Sequence, residues 1–210
     1  MSRKALEQVY QSRVKKPSDI NEHLPVLRNL VTQNSIRTVV ELGVRDGNST
    51  LAFLTACPDR VLSVDIVDAP FLWEVRDAYR ALPDDFLTQW EYLLADDLTI
   101  EISQCDLLFI DTNHTYKQLS QELRKHGDKA VKFIVLHDTT TFRDWDAGWN
   151  EEGLGRAVDE FVAQGVWRIQ KHYTNCNGLT ILNRVSSLMV QEVRPISYSG
   201  GAMSLLGSFN

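Results

Sequence analysis

The chain has 210 residues, 43% of them hydrophobic, and a formal net charge of −6; a chain of this length removes roughly 70% of its unfolded surface from water, so its core closes without disulfides or a structural metal. The basic residues are scattered, which argues against duplex nucleic acid as the main partner, and Cys57, Cys105 and Cys176 stand far apart with no CxxC pair, as free thiols in a reducing compartment do. The first residues, MSRKALEQVYQSRVKK, lack an apolar leader core and no uninterrupted apolar stretch is long enough to cross a bilayer, so a cytoplasmic protein without a membrane partner is expected.

In chain order, Ile20, Leu24, Leu27 and Val31 recur near helical spacing behind Ser18 and Asp19, either of which can cap the start. Arg37 to Leu42 is β-rich, a glycine-containing turn follows, and Ser49 to Ala56 reads as a helix ended by Pro58. The alternation continues with a strand over Val61–Val67, a helix over Glu74–Leu82 and a short strand over Glu91–Ala95. Strands at Asp106–Asp111 and Lys132–His137 flank a helix at Tyr116–His126. After a helix at Gly155–Gln164, strands at Trp167–Tyr173 and Leu179–Asn183 surround the turn Asn175-Cys176-Asn177-Gly178, a hairpin signal. Strands joined by helices imply an α/β fold: a Rossmann-like, doubly wound, mostly parallel seven-stranded sheet with helices on both faces and an antiparallel hairpin at its C-terminal end. Residues 1–184 are expected to form one domain. The serine- and glycine-containing stretch from Val185 to Asn210 reads as a flexible tail, with a lid or a dimer arm as the other readings; self-association stays open.

The stretch VVELGVRDGNST, residues 39–50, runs a strand ending in Glu41 into Gly43 and Gly47 before Ser49 and Thr50 open a helix. Glycines there let the backbone turn sharply and approach a ligand closely at the carboxyl end of the strand. The spacing is GxxxGxS, with Arg45 and Asn48 where the dinucleotide fingerprint needs glycine, and there is no Gly-Lys-Ser for a phosphate loop. Asp65 ends the second strand, 24 positions after Glu41. A carboxylate there can accept from both ribose hydroxyls of a nucleoside lying across the strand ends, or can serve only as a helix cap.

ELGVRDGNS, then VDI, ADD, FIDTNHTY and VLHDTT resemble the class I S-adenosylmethionine-dependent methyltransferases. The resemblance is nearest the branch of catechol-type, macrolide-sugar and rhamnosyl O-methyltransferases and cephalosporin hydroxylase proteins, and spans about residues 37–184. It implies S-adenosylmethionine as cofactor, with Glu41, Gly43, Gly47 and Ser49 at its amino-acid portion. It also implies Asp65 at the ribose and Asp96 or Asp97 at the adenine; Ala95 stands where the family often has glycine.

Asp111 and His137-Asp138 end the fourth and fifth strands, whose tips lie roughly 4.8 Å apart if the strands are neighbours. Asp111, His137 and Asp138 are thus candidate ligands for a divalent cation, magnesium by the oxygen donors, a softer metal by the imidazole. The metal-using members of the resembling family place acids at these tips, and His137 stands where they often have one. His114, three residues after Asp111, matches the general base that the resemblance implies for sugar-methylating members, with Asp111 beside it. Both would then serve O-methylation of a small hydroxylated metabolite, a sugar or natural product. The loop TTTFRDWDAGWNEEG, residues 139–153, offers Phe142, Trp145 and Trp149 for stacking on that acceptor and Arg143, Asp144 and Asp146 for orienting it. The rival reading is a non-catalytic cofactor-binding subunit, favoured by His137. A nicotinamide oxidoreductase shares the fold type but lacks its glycine spacing.

Overall fold

Continuous apolar runs such as Leu107-Leu108-Phe109-Ile110 bury both faces of a strand, and the helices that cover them come from the connections. The structure, a computed structural model, describes residues 3–68, 72–83 and 85–185. Its elements in order are α1 (Lys4–Lys15), α2 (Leu24–Gln33), β1 (Thr38–Leu42), α3 (Asn48–Ala56), β2 (Arg60–Asp65), α4 (Leu72–Arg80), β3 (Gln89–Leu94), β4 (Cys105–Ile110), α5 (Tyr116–His126), β5 (Ala130–His137), β6 (Trp145–Asp146), β7 (Glu151–Glu152), α6 (Gly155–Ala163), β8 (Trp167–Tyr173) and β9 (Leu179–Arg184).

The main sheet has seven strands in the order β3-β2-β1-β4-β5-β9-β8. β3, β2, β1, β4 and β5 run parallel, while β9 lies antiparallel to both β5 and β8. This is a Rossmann-like, doubly wound sheet with helices on both faces. The strand order reverses between β1 and β4, and a crevice opens there at the carboxyl ends, the place where open α/β sheets bind ligands. Period-two alternation divides the core. Val39, Val61 and Phe109 face α1 to α4, where Phe109 meets Phe53 edge-on at 5.6 Å. Val40, Leu108 and Ile134 face Leu119 and Leu123 of α5 and Val158 and Phe161 of α6.

Most element boundaries fall within two residues of the expected ones. The helix expected from Ile20 divides into a 3-10 turn, Asn21–His23, followed by α2; Ser18 Oγ accepts from the main-chain N–H groups of Ile20 and Asn21 just ahead of the turn, and Pro25 stands in the first turn of α2. α1 was not anticipated: only Leu6 and Tyr10 of it are fully buried, among charged neighbours, so its apolar stripe is thin in sequence. The β6–β7 ribbon within the loop after β5 was likewise unforeseen. Residues 186–210, with the tail, lid and arm readings, lie outside the described residues. Among the described residues no helix is long and apolar enough to cross a membrane.

Candidate active site

The first turn is built around two glycines with positive φ. Gly43 (φ +82°) passes so close to β4 that a Cβ would overlap the main-chain carbonyl of Asp111. Gly47 (φ +73°) packs on Leu72 and Val75 of α4, where a Cβ would come within 2.8 Å of both. Between them Arg45, itself at φ +46°, forms a two-pronged ion pair with Asp19 at 2.7 and 2.8 Å. Asp65 holds this turn from the tip of β2: its Oδ2 accepts from the N–H groups of Val44 and Arg45, and its Oδ1 from that of Val67, each at 2.8 Å.

Glu41 lies behind the turn. The β1–β2 register sets it opposite Ser63, and its carboxyl accepts from Ser49 Oγ at 2.5 Å, Thr50 Oγ1 at 2.7 Å and Ser63 Oγ at 2.5 Å. It is fully buried, and burial outweighs the three hydroxyl donors to push its pKa up to about 7. Glu41, Gly47 and Ser49 therefore do not line the crevice as expected; they fix the turn from the inside, the acid by satisfying helix-start hydroxyls and the glycine by close packing.

The crevice itself is a cavity of about 440 Å³ walled by Gly43, Arg45, Asp65, Asp96, Asp97, Asp111 and their neighbours Thr112, Asn113 and Gln118. Four of the acids singled out in sequence thus converge on one space. Asp96 Oδ1 accepts from the N–H of Leu98 at 2.9 Å and its side chain is half-buried. Asp97 is more deeply set, with Gln118 Nε2 donating to its Oδ1 at 3.4 Å.

Asp111 closes one end of the cavity and begins a second cluster at the tips of β4 and β5. His137, 1% exposed at the side chain, donates from Nδ1 to Asp111 Oδ1 at 3.3 Å and from Nε2 to the main-chain oxygen of Asp19 at 3.1 Å. Both nitrogens carry protons in that arrangement. Burial works against the charge, yet Asp111 and Asp138 overcome it and push the pKa up to about 11. His114 Nε2 lies 2.6 Å from Asp138 Oδ2, its Nδ1 lies 3.4 Å from Asp146 Oδ2, and its ring stacks on Phe142 at 4.2 Å. Burial lowers the His114 pKa, but the Asp138 bond and the surrounding carboxylates raise it further, to a net increase. Asp138 adopts φ +62°, a strained conformation of a kind that clusters at functional sites. Burial raises its pKa, and the two histidines more than reverse that, holding it well below the ordinary carboxylate range.

The side chains whose donor atoms converge are Asp111, His114 and Asp138, all within 4.8 Å of one another. His137 is not in this set, although its Nδ1 lies 3.3 Å from both Asp111 Oδ1 and Asp138 Oδ1; its ring is stretched between these carboxylates and the Asp19 carbonyl, tying the segment before α2 to the strand tips. Asp146, expected to orient an acceptor, is buried and accepts from the N–H groups of Gly148 and Trp149 at 2.7 and 3.2 Å while steadying His114. Trp145 and Trp149 remain more than half exposed. Sequence reasoning missed Arg45, Gln118 and Glu122. The last was visible as a charged residue within the stripe Leu119, Glu122, Leu123, His126 that α5 buries.

Residues 40–139 match the family model described as a methyltransferase domain. Curated protein sequences yield no significant match. Among solved structures, an SAH-bound methyltransferase of Podospora anserina is similar with a TM-score of 0.59 at 15% identity, over 87% of this chain and 88% of that one. An O-methyltransferase of Bacillus cereus in complex with SAH gives 0.59 at 13% identity over 87% and 91%. Magnesium protoporphyrin IX methyltransferase from Synechocystis, with bound SAH, gives 0.60 at 10% identity over 85% and 94%. At these identities the structures establish the fold, and the family match places residues 40–139 in a methyltransferase domain.

Proposed function

We propose that this protein transfers the methyl group of S-adenosylmethionine to a hydroxyl of a small metabolite such as a sugar or natural product. The observation that carries the reading is continuity: the cavity walled by Gly43, Asp65 and Asp96 ends at Asp111, and the His114–Asp138 pair stands immediately beyond it. Gly43 and the Asp65-braced turn offer backbone approach and a carboxylate to the nucleoside, in keeping with the roles that the resemblance implies. At the other end the acceptor oxygen attacks the sulfonium methyl, the new C–O bond forming as the C–S bond breaks and the bonding pair returns to sulfur. The hydroxyl proton passes to the His114 imidazole, whose basicity the neighbouring carboxylates increase. Phe142 holds the ring plane and Asp138 and Asp146 its two edges, so alignment is prepared before the acceptor arrives.

A second reading, metal assistance, is favoured by the convergence of Asp111, His114 and Asp138 and by Asp138 Oδ1, a buried atom that has His137 Nδ1 3.3 Å away but no aligned hydrogen-bond donor among the described residues. Two carboxylates and an imidazole fit a divalent cation, with magnesium favoured by the oxygens and a softer ion by the nitrogen. A bound cation would lower the pKa of the acceptor hydroxyl. The non-catalytic reading loses its main support, since His137 has a structural use of its own in tying Asp19 to the strand tips.

The test is turnover with a panel of hydroxylated acceptors, alongside calorimetric titration of SAH. His114→Ala is expected to lower kcat about 100-fold or more with SAH affinity retained. Unchanged turnover in that variant would remove His114 from the reaction. Full activity in excess chelator would remove the cation.

A further inference from the structure

Beside the cavity, one pair of side chains is left unexplained by methyl transfer. Glu122 of α5 is 0% exposed and Asp97, on the cavity wall, 9%. The Gln118 amide bridges their carboxyl groups, and the Asp97 charge raises the Glu122 pKa. Glu122 Oε1 accepts from Thr112 Oγ1 at 2.5 Å and from Gln118 Nε2 at 2.8 Å, while Gln118 also reaches Asp97 Oδ1. The remaining oxygens, Glu122 Oε2 and Asp97 Oδ2, are buried and have no hydrogen-bond donor among the described residues. The surrounding elements bring no compensating cation. His126, from the same helix, donates from Nε2 to the main-chain oxygen of Asp97, and burial lowers its pKa and keeps it neutral. Asp96 adds a further negative charge from the loop after β3, and among the described residues no lysine or arginine bonds to either carboxyl.

Two buried carboxyls that share one amide donor and have no cation beside them cannot both ionise. We propose that Glu122 is a positioning residue for the cofactor cavity, sharing one proton with Asp97 so that Glu122 donates an O–H to Asp97 Oδ2 and the pair presents a single negative charge on the cavity wall. The assignment of the proton to Glu122 follows from depth, since the more buried member is the harder to ionise, and burial together with Asp97 pushes its pKa up to about 8. Bonded in this way, Asp97 is left as a fixed acceptor whose reach into the cavity suits an amine-bearing purine edge. This consequence rests on the methyltransferase reading; the shared proton does not. The three cavity-wall residues that Glu122 touches, Asp97, Thr112 and Gln118, come from three different segments, so the proton joins the loop after β3, the tip of β4 and the start of α5.

Raising the pH through the Glu122 value removes the proton, sets two carboxylates against each other and weakens the cavity. Glu122→Gln keeps the acceptor for Thr112 and Gln118 and replaces the O–H donor by an N–H that does not titrate. SAH titration of the full chain between about pH 6.5 and about pH 9.5 should show roughly a tenfold affinity loss in the wild type that Glu122→Gln abolishes. A difference infrared spectrum of wild type against variant, without ligand near pH 7, should show the carbonyl stretch of a neutral carboxylic acid that disappears on alkalinisation. If Glu122→Gln fails to fold, Asp97→Asn serves: with the neighbouring charge gone, the Glu122 acid band should titrate at a lower pH than in the wild type. Parallel affinity profiles in wild type and Glu122→Gln, or no neutral-acid band, would overturn the proposal. SAH binding to neither protein while the band is present would instead overturn the cofactor reading and leave the shared proton standing.

Discussion

The two sides of the crevice handle buried acids differently. At the tips of β1 and β2, Glu41 and Asp65 are satisfied by neutral donors, three hydroxyls for the first and three main-chain N–H groups for the second. At the tips of β4 and β5, Asp111 and Asp138 are paired with imidazoles. Fixed neutral donors hold a backbone turn in place, which is what a nucleoside-binding turn needs. The imidazoles hold the strand-tip carboxylates instead, and of the two only His114 is partly open to solvent while His137 is sealed in, so the exchangeable proton of the reacting end belongs to His114.

The largest effect that would break the contrast is at Gly43. Gly43→Ala forces a Cβ into the Asp111 carbonyl at a positive φ, and a loss of about 4 kcal/mol in unfolding free energy is expected, read by denaturant melts. A loss below about 1 kcal/mol would show that the turn yields easily. Next, Glu41→Ala leaves buried hydroxyls without their acceptor and should cost about 3 kcal/mol. Glu41→Gln sharpens the point. The folded pKa, about 7, lies above the ordinary 4.5, so the folded state binds more protons between those values and stability falls as pH rises through that window. The glutamine variant should lose that slope, and a retained slope would assign it elsewhere.

Asp65→Ala frees the N–H groups of Val44 and Arg45 and removes the carboxylate from the cavity, so SAH binding should weaken by about 2 kcal/mol in calorimetry. Equal affinity would detach Asp65 from the site. The smallest effect is expected at the exposed α6 pairs of Arg156 with Glu152 and Glu160, where Arg156→Ala should leave the melting temperature within replicate scatter because such pairs are screened by water. A clear drop there would mean that surface charge contributes more to this fold than the strand-tip acids suggest.

Much of the site was legible one residue at a time. Asp65, Asp96, Asp97 and Asp111 were found because acids at strand ends are conspicuous, and the structure brings them to one cavity. Gly43 was legible from the turn. What misled was orientation: Glu41 and Ser49 sit in the same motif as Gly43 but face inward, and strand alternation in a short β1 followed by a glycine turn leaves that choice to packing. His137 was assigned with Asp138 because the two are adjacent. Asp138 leaves the strand at a positive φ, which keeps its carboxylate 3.3 Å from His137 Nδ1, while the other ring nitrogen of His137 is taken up by the Asp19 carbonyl, 118 positions away. The thin stripe of α1 and the two-residue strands β6 and β7 carried too little periodicity to be read.

The order of strands and helices, the parallel sheet with its antiparallel end and the acids at its strand tips all followed from the sequence alone, because hydrophobic periodicity and glycine placement are local properties. Only the tertiary structure decided which acids share a cavity, that His114 joins Asp111 and Asp138 in one cluster, and that Gln118 bridges Glu122 and Asp97. Those outcomes depend on burial and on partners distant in the chain, and charge interactions in a buried site are set by distances that no linear spacing encodes.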